Sequence, residues 1–239
     1  LMKIFKLLVL SCFCWSLLGG IGFAEKSEFK DVNYSFAKLK SIPVTCMIDN
    51  DAQKFIENEY ADKVVLQSLL ENAKKKLVPL LDSYGLEKQY ALLHSDYVEQ
   101  KNKDEAKAQA VLAQYLKNNF DANLTVVVKK YHYDYVEHEG YTYESTEYQE
   151  IKIKNSDGTW TTISQPYKKT NYVDPWTEKI AVVKLEFKLT DNKTGDVIFA
   201  RTDEKSSSGG VFSSPNVDKV AGKVCETYIN DLSKMIKGK

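Results

Sequence analysis

The 239-residue sequence has no excess charge of either sign and few of the residues on which most catalytic and metal sites depend. It contains 33 basic and 33 acidic side chains, three histidines and four cysteines. Zero net charge gives no long-range attraction to nucleic acid, and the lysine pairs are short, which excludes a basic nucleic-acid-binding face. The 15 tyrosines and 10 phenylalanines exclude an intrinsically disordered chain.

The motifs of the common cofactor-binding and hydrolytic folds are also missing. The sequence has no glycine-rich phosphate-binding loop, no Cys-x-x-Cys, no Gly-x-Ser-x-Gly and no His-Glu-x-x-His. We therefore expect no cofactor, no metal and no enzymatic activity. The length allows one large domain or two small ones.

A long apolar run is found at the amino terminus and resembles a signal peptide. Two lysines precede Leu7–Leu18, and Gly22-Phe23-Ala24 offers small residues at the positions that a signal peptidase reads. This predicts a signal peptide over residues 1–24 and export to the periplasm or the exterior. The run is too short for a stable membrane span. Val9-Leu10-Ser11-Cys12 is a poor lipoprotein box because Leu10 is bulky, so we expect no lipid, although lipidation stays open.

Removal of this segment leaves two cysteines in the mature chain. These are Cys46 and Cys225. In an exported protein, two thiols predict either one disulfide or two buried free thiols that behave as small apolar groups.

The front half of the mature chain alternates strand and helix signals. Strands are predicted at Ser41–Ile48, Tyr90–Leu93 and Ala122–Val128, because these runs are apolar or β-branched. Leucines at helical spacing predict a helix over Leu66–Leu80, and an apolar face predicts another over Lys103–Asn118. This order predicts a βαβαβ unit.

The back half has the two-residue period of β-structure. Consecutive strands are predicted at Tyr131–Glu137, Tyr141–Lys154 and Thr159–Ser164, joined by tight turns at Glu139-Gly140 and Asp157-Gly158.

A hairpin and a helix complete the chain. Ile180–Leu189 and Val197–Ala200 are predicted strands around a turn at Asp191–Gly195, and Ser214-Pro215 is predicted to start the last helix. The predicted fold is therefore α/β, bordering on α+β. It is a mixed sheet with flanking helices, a βαβαβ front half, an antiparallel meander in the back half and a C-terminal helix packed on the sheet. Residues 25–239 form one domain, with a tyrosine-rich insertion at about 131–178.

The order of these elements resembles exported α/β domains of the bacterial cell envelope. Ala122-Asn123-Leu124-Thr125-Val126 resembles a strand motif of that group, and Asp191 with Thr194–Ile198 resembles its hairpin. The group includes the amino-terminal domain of Tol-type translocation proteins, the curli-secretion lipoprotein family and related lipoproteins of unknown function. The resemblance covers residues 40–130 and 180–236 and implies an envelope protein. The insertion and the poor lipoprotein box depart from the group, so pore formation and membrane anchoring are not implied.

The insertion concentrates the aromatic side chains and is the predicted binding surface. Tyrosine and tryptophan bury a large area at low entropic cost, which suits recognition of an envelope protein or a glycan. Tyrosines also form strands well, so a simple sheet cover stays open as the alternative. The oligomeric state is left open. The candidate binding residues are Tyr131, Tyr133, Tyr135, Tyr141, Tyr143, Trp160, Tyr172 and Trp176.

Two sharper chemical hypotheses compete with a binding role. If Glu139-Gly140 were a two-residue turn, Glu147 would lie opposite His132, and with Asp134 they would form a weak metal site. Alternatively, the protein would be a small hydrolase with Cys46 as the nucleophile, His94 as its base and Asp96 nearby as an orienting group. Cys46 and His94 both lie at the ends of predicted strands, where the two side chains could meet.

Overall fold

The computed structural model describes residues 24–208 and 214–238, which form two compact units. The first unit comprises the described residues up to 134 and from 180 onward, and the second comprises residues 135–179. The predicted signal segment, apart from Ala24, lies outside the described residues. None of the described helices has the length and apolar character that a bilayer crossing requires.

Eight strands and five α-helices are found among the described residues. The strands are β1 (Ala24–Lys30), β2 (Ile42–Ile48), β3 (Leu80–Asp82), β4 (Ala122–His138), β5 (Tyr141–Lys154), β6 (Trp160–Val173), β7 (Trp176–Asp191) and β8 (Val197–Ser207). The helices are α1 (Ala61–Lys76), α2 (Ser83–Leu93), α3 (Ser95–Lys103), α4 (Glu105–Asn119) and α5 (Val217–Ile236). Six strands form one mixed sheet in the order β1-β8-β7-β4-β2-β3, and β5 and β6 form a separate two-stranded sheet.

The parallel part of the large sheet confirms the predicted βαβαβ unit. β2 runs parallel to β4, with Val44 beside Leu124, and parallel to β3, with Ile42 beside Leu80. β3 ends at Asp82, whose carboxylate accepts a hydrogen bond from the Tyr84 N–H and caps α2. The mixed sheet with its flanking helices confirms the α/β class.

The antiparallel part contains the predicted hairpin of β7 and β8. The Asp191 carboxylate accepts hydrogen bonds from the N–H groups of Lys193 and Thr194 and from the Tyr34 hydroxyl at 2.7 Å. Although burial opposes the charge, these donors hold the pKa of Asp191 below its usual value. Gly195 has a φ of +81°, which explains the glycine in this turn.

The hydrophobic core lies between one face of the large sheet and the helices α1 and α5, which pack against each other. Phe187 of β7 stacks on Tyr228 of α5 with ring centroids 4.1 Å apart, and Phe199 of β8 stacks on the same ring at 5.3 Å. All three rings are buried. The apolar stripe predicted for the last helix therefore faces the sheet, as expected.

Three local predictions need correction. The segment Tyr90–Leu93, which was predicted as the middle strand of the βαβαβ unit, is the last turn of α2. The middle strand is β3, which follows Pro79 directly. The predicted strand Tyr131–Glu137 continues β4 without a break. The last helix begins at Val217, where the Asn216 side chain accepts a hydrogen bond from the Lys219 N–H; Ser214-Pro215 precedes it.

A buried arginine joins the first strand, the sheet and the last helix. The Arg201 side chain is inaccessible to solvent and donates to Glu28 at 3.0 Å and to Asp231 at 2.5 Å. Burial opposes the charge of Asp231, but the hydrogen bond from Arg201 holds its pKa below the usual value. The pairing explains how a charge is accommodated beside Phe199 and Tyr228.

Replacement of two buried tyrosines with phenylalanine should change the free energy of unfolding differently at the two positions. The Tyr131 hydroxyl donates to Asp218, whereas the Tyr228 hydroxyl has no hydrogen-bond partner among the described residues. We expect Tyr131→Phe to lower the free energy of unfolding by about 1–3 kcal/mol, and Tyr228→Phe to leave it unchanged or raise it. Urea denaturation of both variants measures the difference, and an equal loss in both would contradict it.

Candidate functional site

The second unit is built around a long β-hairpin of β5 and β6, which pair antiparallel along their whole length. The hairpin turn lies at residues 155–159. The Asp157 carboxylate accepts hydrogen bonds from the N–H and the hydroxyl of Thr159, and Gly158 has a φ of +87°. The predicted turn at Asp157-Gly158 is confirmed.

The alternation of side chains gives this two-stranded ribbon two different faces. The register places odd-numbered residues of both strands on one face and even-numbered residues on the other. The first, which we call the isoleucine face, carries Tyr141, Tyr143, Ile151, Ile153, Ile163, Tyr167 and Val173. The second, the threonine face, carries Thr142, Thr146, Tyr148, Trp160, Thr162, Thr170 and Tyr172.

Large rings on both faces are open to solvent. At least half of the residue surface is exposed to solvent at each of Tyr141, Tyr143, Tyr148, Trp160 and Tyr172. A surface with so many exposed rings is unusual for a protein without a partner, because exposed apolar clusters mark interaction sites.

Four rings of the second unit form an aromatic cluster, composed of His138, Tyr141, Tyr143 and Trp176. Trp176 stacks on His138 with centroids 4.5 Å apart and planes 10° apart, and the Tyr141 ring lies 6.3 Å from both Trp176 and Tyr143. The His138 Nε2 lies 2.9 Å from the Glu178 carboxylate, which fixes the orientation of the imidazole. The cluster therefore presents preorganised rings.

Glycine at position 140 is required by close packing at the start of β5. A Cβ atom at Gly140 would lie 2.8 Å from the Val173 carbonyl oxygen and 2.9 Å from the Tyr172 hydroxyl. The prediction that Glu139-Gly140 is a hairpin turn between paired strands is wrong, because β5 pairs with β6 and β4 belongs to the other sheet.

The charges of the ribbon compensate each other. Lys169 donates to Glu147 at 2.8 Å, the Tyr167 hydroxyl donates to the same carboxylate at 2.7 Å, and Lys168 donates to Glu144 at 2.8 Å. The hydrogen bonds from Lys169 and Tyr167 lower the pKa of Glu147. Because residues 141–173 contain four acidic and four basic side chains, the ribbon carries no net charge that would attract a charged partner from a distance.

Six of the eight predicted binding residues belong to the second unit, and two do not. Tyr131 is buried in the core of the first unit, which corrects its assignment to the binding surface. Tyr133 lies against the same core, and its N–H donates to Glu57. The sequence prediction omitted His138 of β4 and, in the ribbon, Tyr148, Tyr167 and the three isoleucines. For the ribbon residues the available signal was the two-residue alternation, which places Tyr167 and the isoleucines on the face of Tyr143 and places Tyr148 on the face of Trp160.

The hypothetical metal site of His132, Asp134 and Glu147 is not formed. Both ring nitrogens of His132 are engaged, Nδ1 with the Phe55 carbonyl and Nε2 with Asp134, each at 3.1 Å. Glu147 is engaged within its own ribbon, because the hairpin that would have brought it opposite His132 does not exist.

The structure also fails to support the disulfide and the thiol enzyme. Cys46 and Cys225 are both free, and the Cys225 thiol donates weakly to the Val65 carbonyl at 3.8 Å. Burial raises the pKa of Cys225 to about 12 and raises that of Cys46 well above its usual value, which disfavours the reactive thiolate at both positions. His94 lies between α2 and α3 instead of at a strand end.

The length of α2 separates Cys46, the hypothetical nucleophile, from His94, its hypothetical base. This helix begins at Ser83, whose hydroxyl accepts a hydrogen bond from Thr45, the neighbour of Cys46. Eleven residues of helix then carry the chain about 16 Å to His94. Cys46 lines a crevice of about 780 Å³ formed by α1, α2, α4 and the sheet, and no histidine lines it. The histidine that the hydrolase hypothesis requires as a base is therefore not at this crevice.

Thiol titration tests this assignment. In folded mature protein, we expect neither Cys46 nor Cys225 to react with an aromatic disulfide reagent at pH 8 on the time scale of a free thiol, because Cys225 is buried and burial raises the pKa of the partly buried Cys46. After unfolding without reductant, both should react. The absence of any reactive thiol after unfolding would establish the disulfide, and rapid reaction in the folded state would revive the enzyme hypothesis.

Comparisons with known proteins give similarities of fold at low scores. No family model and no curated protein matches the chain. The PelC dodecamer from Paraburkholderia phytofirmans has 11% identity and a TM-score of 0.46 over 88% of this chain and 98% of its own. The lipoprotein GNA1162 from Neisseria meningitidis has 13% identity and a TM-score of 0.38 over 81% of this chain and 98% of its own.

A third similar structure is larger than this chain. A PDZ domain protein from Parabacteroides distasonis has 11% identity and a TM-score of 0.33 over 93% of this chain and 38% of its own. These scores assign neither a family nor a function, so the resemblance to Tol-type and curli-secretion proteins stays a prediction.

Proposed function

We propose that the chain is an exported, non-enzymatic component of the cell envelope or the secreted fraction that binds a protein partner through its second unit. The proposal rests on the two-stranded ribbon, whose two faces both expose tyrosine rings and whose threonine face also exposes Trp160. Such rings are enriched in protein interfaces because each buries a large area and keeps a polar group for hydrogen bonding.

The composition of the isoleucine face favours a protein over a glycan. Ile151 lies directly opposite Ile163, with Ile153 two residues further along the same face. Aliphatic side chains offer no hydrogen bond to a sugar, whereas they pack against the apolar side chains of a protein. The aromatic cluster adds rings that are already positioned by stacking, which reduces the entropic cost of binding.

The state of the thiols and histidines supports a non-enzymatic role. Cys225 is buried, Cys46 is partly buried, and burial raises the pKa of both thiols. Both ring nitrogens of His132 and the Nε2 of His138 are occupied by neighbouring groups. We therefore do not propose the hydrolase.

Site-specific crosslinking in the producing cells tests the proposal. A photoreactive phenylalanine analogue replaces Tyr143 on one face of the ribbon or Tyr172 on the other. Matched controls carry it at Tyr60 or Tyr84, which are exposed to a similar extent in the first unit. We expect a discrete protein adduct from the ribbon positions alone. Adducts from the control positions alone would contradict the proposal, and an adduct that contains carbohydrate without protein would replace the protein partner by a glycan.

A further inference from the structure

The outer edge of β5 is an unpaired strand edge. Among the described residues, β5 forms its ladder with β6 alone along 14 residues, so half of its backbone N–H and C=O groups point away from β6 without a strand partner. A two-stranded hairpin is marginally stable in water by itself, and an open edge is a template for another strand.

The two edges of the ribbon differ in their fitness for pairing. β6 contains Pro166, which lacks an N–H. Proline discourages pairing at strand edges. β5 contains neither proline nor glycine. An added strand would therefore pair with β5.

The charge pattern of β5 is complementary to itself in one direction only. The acidic residues Glu144, Glu147 and Glu150 precede two basic residues, Lys152 and Lys154. In-register parallel pairing with a second copy would place each charge beside its equal, which is unfavourable. Antiparallel pairing turns the acidic segment of one strand toward the basic segment of the other, as a two-fold symmetric interface requires.

We propose that β5 pairs antiparallel with β5 of a second copy, centred on Tyr148, and joins two ribbons into one four-stranded sheet. In this register Glu144 lies opposite Lys152 of the partner subunit, and Tyr143 lies opposite Ile153 of the partner subunit. Tyr148 lies opposite Tyr148 of the partner subunit. Each unlike pair occurs twice by symmetry, and no like charges face each other.

Two other registers of the same pairing are less favourable. Centring the pair on Glu147 or on Glu150 would place two equivalent carboxylates directly opposite each other. The register centred on Tyr148 also joins an aromatic to a β-branched side chain, a favourable cross-strand pair. This dimer goes beyond the proposed function. It joins two copies of the chain through the edge of β5 and leaves both faces of the ribbon open for a partner.

Charge reversal with rescue tests the dimer. Sedimentation velocity over a range of concentrations should show a dimer of the wild type. Lys152→Glu should raise the dimer dissociation constant about ten-fold, because two attractive pairs become repulsive. Glu144→Lys should raise it at least as much, since it also removes the hydrogen bond from Lys168 of its own ribbon. The double variant should restore it. The matched control Glu150→Lys changes the same charge on the same face but faces Thr146 of the partner subunit, so it should leave the dimer intact.

A cysteine at the symmetry centre tests the register. Under mild oxidation, Tyr148→Cys should form a disulfide between two copies, because paired strand positions bring their Cβ atoms within reach, whereas Thr146→Cys should not. A monomer at every concentration, or a dimer insensitive to both charge reversals, would overturn the inference. All measurements use the purified chain alone, so their failure is distinct from a failure to find a partner in cells.

Discussion

Replacing Tyr143 and Trp176 together with alanine should reduce partner binding about 100-fold or more, because truncation of a central aromatic side chain typically costs 2 kcal/mol or more. Both rings belong to the aromatic cluster, and both are partly open to solvent. Their removal takes away contact area without creating a cavity in the core, so the melting temperature should change little. Quantitative capture of the crosslinked partner by the purified variant measures the effect.

The control for this variant is the double replacement of Tyr60 and Tyr84 with alanine. These tyrosines are as exposed as those of the ribbon but belong to the first unit. Binding should stay within two-fold of the wild type in this control. Equal losses in both double variants would show that exposed rings anywhere on the chain contribute and that the ribbon has no special role.

Replacing Phe187 with alanine should lower the free energy of unfolding by about 3–5 kcal/mol, because it removes a large ring from the core and leaves a cavity. Phe187 is 2% exposed and stacks on Tyr228 between the sheet and α5. The loss is a large part of the stability of a typical domain. Equilibrium unfolding in urea, followed by circular dichroism, measures it.

Phe29→Ala is the matched control, since Phe29 lies on the edge strand β1 with 53% of the residue exposed. Its free energy of unfolding should stay within about 0.5 kcal/mol of the wild type. A loss below about 1 kcal/mol for Phe187→Ala would contradict the packing of α5 on the sheet, because no core contact of this size is so weak.

The sequence was most informative where a single rule decides the structure. The β-branched run from Leu124 to Val128 predicted a central strand, and the valines and leucine of α5 predicted the face that packs on the sheet. Asp157-Gly158 predicted its turn because glycine alone adopts the positive φ there at no cost. These features depend on residues close together in the sequence.

Pairing between distant strands was less predictable. Two-residue periodicity predicts β5 with its observed bounds but ends β6 at Ser164, whereas the strand continues to Val173. It also does not say that β4 pairs elsewhere, so Glu139-Gly140 was assigned to a hairpin turn that does not exist. The short strand β3 escaped prediction because three residues carry no period. Burial of Tyr131 was equally hidden, since its contact with Asp218 joins residues that are 87 positions apart in the sequence.

The binding surface could be predicted as a region but not as a geometry. The density of tyrosines between residues 131 and 172 marked the segment. Assigning each ring to a face requires the register of β5 against β6, which the turn at Asp157-Gly158 determines. The stacking of Trp176 on His138 depends on packing that no local pattern records.

Hydrogen exchange of the backbone amides, measured with and without the captured partner, shows directly whether the ribbon is the binding surface. We expect binding to slow exchange chiefly within residues 141–173, where β5 and β6 form the ribbon. Amides of the first unit should exchange as in the free protein. Slower exchange confined to residues 24–134 and 180–238, with the ribbon unaffected, would contradict a binding role for the second unit.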